Sequence, residues 1–77
     1  MILLEKIQMI VRNYGAERMA QELGKPYTTL MRELNPNDEG AKLGLITFLK
    51  ILGITQNYSP LSVIAKMFGQ IIIEVPE

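Results

Sequence analysis

The chain has 77 residues, with eight basic and eight acidic side chains and neither cysteine nor histidine. This length allows one domain. Without cysteine or histidine the chain can form no disulfide and lacks the ordinary zinc ligands, so we expect no metal and no other cofactor. The usual nucleophile and base pairs are missing, as is a phosphate-binding glycine loop, so we do not expect an enzyme.

The apolar content and the charge bear on assembly and location. Hydrophobic residues make up 48% of the chain, more than a small monomer easily buries, so we expect a homodimer or a higher oligomer. The net charge is zero, which weighs against nucleic acid as a partner. No apolar run is long enough for a membrane span and no signal peptide is evident, so we expect a cytoplasmic protein without a membrane partner. No small-molecule ligand is evident.

Apolar residues at helical spacing predict an all-α chain. The predicted helices cover residues 2–14, 16–23, 27–34, 43–53 and 59–68. Four glycines are predicted to end helices, namely Gly15, Gly24, Gly53 and Gly69. The fourth helix is apolar nearly all round, which predicts a central position in the core. Three methionines are predicted to fill the core, namely Met9, Met19 and Met67.

The C-terminal residues 70–77 have a different pattern. Ile71, Ile72, Ile73 and Val75 are β-branched and favour an extended chain, which predicts one short strand. A single strand needs a partner, so we expect these four residues to join two copies across a two-fold axis. The sequence is therefore divided into a helical domain, residues 1–69, and a C-terminal strand or tail, residues 70–77.

Residues 16–34 have the spacing of a helix-turn-helix. Gly24 supplies the turn, Ala20 lets the two helices cross closely, and Leu30 fills the angle between them. In DNA-binding proteins the second helix of this motif enters the major groove. A helical hairpin with a glycine turn has the same spacing, so the pattern alone leaves both interpretations open. Five helices with the motif in the second and third are typical of the lambda-repressor-like fold.

The run of residues 15–36 resembles the CII-type regulatory proteins of temperate phages. In that family a short helix-turn-helix ends in a Leu-Asn-Pro turn, which here is Leu34-Asn35-Pro36, and a Leu-rich helix and a further helix follow. The resemblance covers roughly residues 3–69. It implies a transcriptional regulator of phage or prophage origin.

The predicted recognition helix, residues 27–34, turns Leu30 and Leu34 inward and exposes its other side chains. The candidate DNA contacts are Arg18, Lys25, Tyr27, Thr28, Thr29, Met31 and Arg32. The threonines suit base edges, Arg32 suits a guanine or a phosphate, and Lys25 and Arg18 suit phosphates. Structural alternatives exist for each group. Arg32 could pair with Glu33 or Glu22, the threonines could satisfy backbone donors of the first turn, and Tyr27 could pack at the helix entry.

The sequence thus predicts a sequence-specific regulator that binds double-stranded DNA as a homodimer, with the helix at residues 27–34 in the major groove. The rival is a helical protein-interaction module, such as an adaptor or anti-repressor, that keeps the fold without binding DNA. Zero net charge and high apolar content fit the rival. A positive rim from Arg18, Lys25 and Arg32 would favour DNA, and an apolar patch edged by acids would favour protein.

Overall fold

The computed structural model describes residues 2–38 and 40–76. Within these residues it contains five helices: α1 Ile2–Tyr14, α2 Ala16–Leu23, α3 Tyr27–Glu33, α4 Leu45–Thr55 and α5 Ser59–Met67. The all-α class and the order of the five helices are as predicted. None of the described helices has the length and apolarity that crossing a membrane requires.

Two glycines with positive φ separate the first three helices. Gly15 has a φ of 117° and Gly24 a φ of 67°, values that residues with a Cβ rarely adopt. At the end of α2, the backbone N–H of Lys25 donates to the carbonyl of Ala20 at 3.0 Å, and that of Gly24 to Gln21 at 3.1 Å. These bonds satisfy carbonyls that the helix end would otherwise leave unpaired. The glycine stops of α1 and α2 are therefore confirmed.

The core lies where α1, α2, α3 and α4 meet. Ala20 is 3% exposed, and Met19, Leu30 and Leu34 are fully buried. They form one cluster with apolar residues of α1 and α4. Ala20 and Leu30 thus occupy the buried contact that the sequence spacing predicted, and Met19 fills the core as expected. The buried side of α3 is set by Leu30 and, just beyond its end, Leu34.

The fourth helix differs from its prediction in position and in burial. Gly53 lies inside α4, which continues to Thr55 and ends at Gln56, a residue with a φ of 52°. The predicted stop at Gly53 was wrong because the next turn still forms: the N–H of Gln56 donates to the Leu52 carbonyl at 2.8 Å. Nor is α4 buried all round, since Leu45 and Ile46 are 69% and 64% exposed.

The C-terminal strand is not borne out. After α5, Gly69 takes a φ of 68°, and residues 70–76, which we call the tail, form neither helix nor strand. β-branched side chains favour an extended backbone, but a strand exists only when its N–H and C=O groups pair with a neighbour. Among the described residues of the single chain, no second strand is present to pair with the tail.

Two of the three methionines expected in the core lie on the surface. Met9 is 63% exposed and Met67 is 60% exposed. Met9 is not among the buried residues of α1, whose buried side carries Ile7, Ile10 and Val11. Met67 is the last residue of α5, where the chain leaves the core. Their exposure adds to the apolar surface that the chain leaves uncovered.

Candidate nucleic-acid interface

The third helix presents a polar face to solvent. Tyr27 is 46% exposed, Thr28, Thr29 and Arg32 are also exposed, and Leu30 on the opposite side is fully buried. We call the four exposed side chains the α3 face. Within the part of the chain that the structure describes, the start of α3 has no side-chain cap hydrogen bond, so the alternative in which Thr28 and Thr29 satisfy backbone donors of the first turn is not supported. A partner could contact these exposed side chains without any change in the core.

Met31 occupies a different position from the one expected of it. It is half-buried and packs against the core cluster, whereas the sequence placed it on a face directed away from the core. The length of the methionine side chain allows it to reach the core beside Leu30. Its remaining exposed surface lines a groove beside the α3 face.

Lys25, in the turn between α2 and α3, binds an acid at the far end of α3. Its Nζ lies 2.8 Å from Oε1 and 3.0 Å from Oε2 of Glu33. The two side chains are only 26% and 16% exposed. A phosphate contact by Lys25 would therefore compete with a short, partly desolvated ion pair that joins the turn before α3 to the last residue of α3.

Arg32, in the last turn of α3, pairs with the acidic loop that follows. Its Nε lies 3.1 Å from Oδ2 of Asp38. The Arg32 side chain nevertheless remains 66% exposed, so most of its donors still face solvent. The hydrogen bond from Arg32 is the main reason that the pKa of the Asp38 carboxyl is held below its ordinary value. Sequence reasoning offered Glu33 or Glu22 as partners of Arg32, and both were wrong.

Arg18, in α2, lies against α1. Its guanidinium carbon is 4.4 Å from the centre of the Tyr14 ring, a cation–π contact, and its Nε is 4.0 Å from Oε1 of Glu22 one turn later. The Tyr14 hydroxyl donates to the same Glu22 carboxylate. That hydrogen bond raises the pKa of the Tyr14 phenol, because it favours the protonated form. The Arg18 side chain stays 66% exposed.

A polar groove of about 600 Å³ runs beside α3 and brings in a cation that the sequence analysis did not select. Its lining residues come from α1, α3 and the following loop: Glu5, Gln8, Arg12, Tyr27, Met31, Asn35, Pro36 and Asn37. Arg12 is exposed, and the ion pairs found among the described residues do not involve it. Its position on the polar side of α1 was visible in the sequence, but its proximity to α3 depends on how the two helices pack.

Comparison with known proteins decides the family. A family model described as phage regulatory protein CII (CP76) matches residues 2–77. The chain belongs to this family of phage regulatory proteins. Neither the curated proteins nor the solved structures contain a match to it. The family match includes the tail, beyond the residues that carried the resemblance in the sequence itself.

In this CII-family protein, the four residues predicted to join subunits are all exposed. Ile71, Ile73 and Val75 are 81%, 76% and 82% exposed, and Ile72 is 50% exposed. Among the surfaces that the structure leaves uncovered are a polar one on α3 and the adjoining groove, and an apolar one on the tail. The first suits a polar, hydrogen-bonding partner and the second an apolar one.

Proposed function

We propose that this phage regulatory protein controls transcription by binding specific sequences of double-stranded DNA as a homodimer. In this proposal α2 and α3 are the helix-turn-helix of a lambda-repressor-like domain, and α3 is the recognition helix. The observation that carries it is the division of α3 into a buried side, anchored by Leu30, and an exposed polar face directly after the Gly24 turn. Membership of a regulatory family supports the same conclusion.

The exposed residues of α3 suit the chemistry of a major groove. Thr28 and Thr29 can contact a thymine methyl or hydrogen-bond a base edge, and Tyr27 can add a phenol hydroxyl at the start of the helix. Arg32, with most of its guanidinium exposed, can read a guanine or contact a phosphate. We assign base recognition to Tyr27, Thr28 and Thr29, a guanine or phosphate contact to Arg32, and apolar contact at the edge of the major groove to Met31.

Phosphate contacts are assigned to exposed cations around α3. Arg18 and Arg32 hold ion pairs in which the arginine side chain is mostly exposed, and such pairs contribute little to stability and can be exchanged for a phosphate contact. Arg12 adds a third cation through the polar groove. The Lys25 ammonium, bound by both oxygens of a half-buried carboxylate, is the least available of the predicted phosphate ligands, and its pair with Glu33 also holds α3 in position.

A dimer fits the geometry of duplex DNA. Two-fold dimers of helix-turn-helix proteins read half-sites about 34 Å apart, one turn of the double helix. The longest dimension of this chain is 36 Å, so two copies side by side can place their α3 helices in successive major grooves. We assign the subunit contact to the apolar tail residues Ile71, Ile72, Ile73 and Val75.

Sequence preference tests the proposed function. Binding of the protein to duplexes from the region around its own gene is compared with binding to scrambled duplexes, by fluorescence anisotropy. We expect at least one duplex to bind about 10³-fold more tightly than its scrambled form. Thr29→Ala should reduce that preference, whereas Thr47→Ala, a threonine of α4, should leave it unchanged. Equal, weak binding to every duplex would contradict the proposal.

A second candidate function is a protein-interaction module that keeps this fold without binding DNA. The observation that favours it is that the three cations expected to form a positive rim, Arg18, Lys25 and Arg32, each pair with an acid of the same chain. Large apolar side chains are also exposed on α4 and the tail. If the protein binds no duplex but forms a stable complex with another regulator of the same phage, this function replaces the first.

A further inference from the structure

An apolar groove lies beside the buried core residue Phe48. It has a volume of about 440 Å³. Its apolar lining comes from α1, α4, α5 and the segment before α4, and it includes Leu3, Leu4, Leu43, Leu45, Phe48 and Ile64. Leu45 at its edge is 69% exposed. Contact between this apolar lining and water is unfavourable, so an apolar partner that covered the groove would be bound favourably.

We propose that the tail of a second copy of this chain occupies the groove, and that two copies exchange tails reciprocally. The proposal deepens the dimer of the proposed function, since it names the surface that receives the tail. The sequence analysis expected the tails of two copies to pair as strands. In this proposal the subunits are joined instead by burial of Ile71, Ile73 and their neighbours against α1, α4 and α5 of the other copy. Because the two copies exchange tails reciprocally, the arrangement is two-fold symmetric and closes at two subunits.

The tail matches the groove in chemistry. Its residues 70–76 carry three isoleucines and a valine, with Glu74 as their one charged neighbour. The groove is lined mainly by aliphatic side chains, and Lys42 lies among its lining residues with an exposed side chain. The other charged residue of the lining, Glu33, is bound to Lys25. A tail laid in the groove can therefore pair Glu74 with Lys42 at the rim.

The areas agree with a stable dimer. Burial of an isoleucine or valine side chain removes on the order of 100 Å² of apolar surface from water. The four apolar side chains of the tail are 50% to 82% exposed, so one tail has roughly 300 Å² to bury. Two tails and the two groove surfaces that they cover then bury roughly 1,200 Å², which reaches the range of specific protein interfaces.

In the single chain, the tail does not cover its own groove. No tail residue lines the groove, and all the described tail residues are exposed. Seven extended residues span about 23 Å, which is comparable with the shorter dimensions of the molecule, 29 and 20 Å. A tail that projects from one copy is therefore long enough to lie along the groove of its neighbour.

Directed cross-linking tests the proposal. Because the chain has no cysteine, each variant carries a single thiol, and the full-length proteins Leu45→Cys and Ile73→Cys are mixed and oxidised. We expect the disulfide between positions 45 and 73 of different copies to form at least tenfold more than either disulfide between like positions. Both positions are exposed, so neither variant should disturb the fold, which circular dichroism checks.

Each other cross-linking pattern overturns the proposal. A predominant link between two copies of position 73 would mean that tails pair with each other, and one between two copies of position 45 would mean that α4 meets α4. In the double variant with both cysteines, a link within one chain would mean that the tail covers its own groove. The experiment contains no DNA, so a protein that cross-links as expected but fails to bind DNA overturns only the proposed function.

Charge exchange gives an independent readout of the same contact. Lys42→Glu and Glu74→Lys should each weaken dimerisation roughly fivefold, measured by sedimentation, because each places like charges together. The double variant, which restores opposite charges, should recover most of the loss. Lys50→Glu is the control, since Lys50 is an exposed lysine of α4 that does not line the groove. If the loss of dimerisation affinity in the double variant equalled the sum of the losses in the two single variants, the pairing of Lys42 with Glu74 would be overturned.

Discussion

At the scale of single residues, basic side chains around α3 form ion pairs with acidic side chains of the same chain. Arg32, to which the proposed function assigns a contact with DNA, also donates a hydrogen bond to Asp38 in the loop that follows α3. An exposed pair of this kind costs little to break, but it sets a competition between a carboxylate of the protein and a phosphate of DNA. The sequence has zero net charge, and around α3 three cations are likewise paired with acids of the same chain. In the proposed function, the acid of such a pair would affect the affinity for DNA.

Removing the acid should therefore strengthen DNA binding. We expect Asp38→Asn to raise the affinity for duplex DNA by roughly two- to fivefold, because Arg32 no longer has to leave an ion pair. Fluorescence anisotropy at a fixed, low salt concentration measures the change. The control is the same substitution in an Arg32→Ala background, where it should have little effect. An equal gain in both backgrounds would mean that Asp38 acts as a general negative charge and not through Arg32.

The same ion pair should appear in the pH dependence of stability. Because Arg32 lowers the pKa of Asp38, the pair stabilises the folded state above the carboxyl pKa of the unfolded chain, about 3.9. That contribution is lost as the pH falls from about 4 through the lower folded-state pKa. Urea unfolding of wild type and Arg32→Ala should therefore differ by a constant amount from pH 7 to about pH 5 and converge in more acid solution. A difference that grows on acidification would contradict this assignment.

The sequence could predict features that are fixed within one helix, but not contacts between residues that are far apart in the chain. The exposure of Thr28, Thr29 and Arg32 followed from helical periodicity, because Leu30 and Leu34 fix which side of α3 is buried. The partners of the cations did not follow, since Lys25 and Glu33 are eight positions apart and Arg12 comes near α3 only through the packing of two helices. Such contacts require the tertiary fold, which periodicity alone does not supply.

At the scale of secondary structure, positive φ distinguishes the three glycines that end helices from Gly53, the fourth glycine predicted to do so. Gly15, Gly24 and Gly69 have φ values of 117°, 67° and 68°, and the helix ends beside each were predicted correctly or within two residues. Gly53 was expected to end α4 but lies within it, because its backbone stays helical and Gln56 adopts the left-handed turn instead. A glycine in the sequence permits a stop, but it does not require one.

Two matched substitutions test this distinction. Alanine at position 24 should destabilise the fold by about 1 kcal/mol, because a Cβ is strained at positive φ. Alanine at position 53 should stabilise it by up to about 1 kcal/mol, because it improves helix propensity. A Cβ at either position meets nothing within 4 Å, so crowding cannot explain the difference. Urea unfolding measures both, and changes of the same sign would contradict the explanation.

The tail shows why a local propensity can fail. Its isoleucines favour extended backbone, yet without a partner strand the residues stay irregular and exposed. Sequence patterns report what a segment prefers, whereas a strand is a property of two segments together. The same apolar residues remain the best candidates for the subunit contact, because burial of their side chains does not require a ladder of backbone hydrogen bonds.

At the scale of the whole molecule, the exposed apolar surface predicts association. Deletion of residues 70–77 should convert the dimer into a monomer and weaken DNA binding about 10²-fold, because the two half-sites are then bound independently. Helix content should stay unchanged, since α5 ends at Met67. A shorter deletion, of residues 76–77 only, retains the four apolar side chains and serves as the control. An undisturbed dimer in sedimentation after the longer deletion would contradict the role of the tail.

The most direct test of the central claim is the salt dependence of binding to duplex DNA by the full-length protein. If α3 and its surrounding cations contact phosphates, log affinity should fall linearly with log salt concentration, with a slope of about −0.9 for each phosphate contacted. Arg32→Ala should reduce the slope by about one contact, whereas Lys66→Ala, on α5, should not. No binding at low salt, either to random duplex or to DNA flanking the gene, would contradict the account and leave the protein-interaction module in its place.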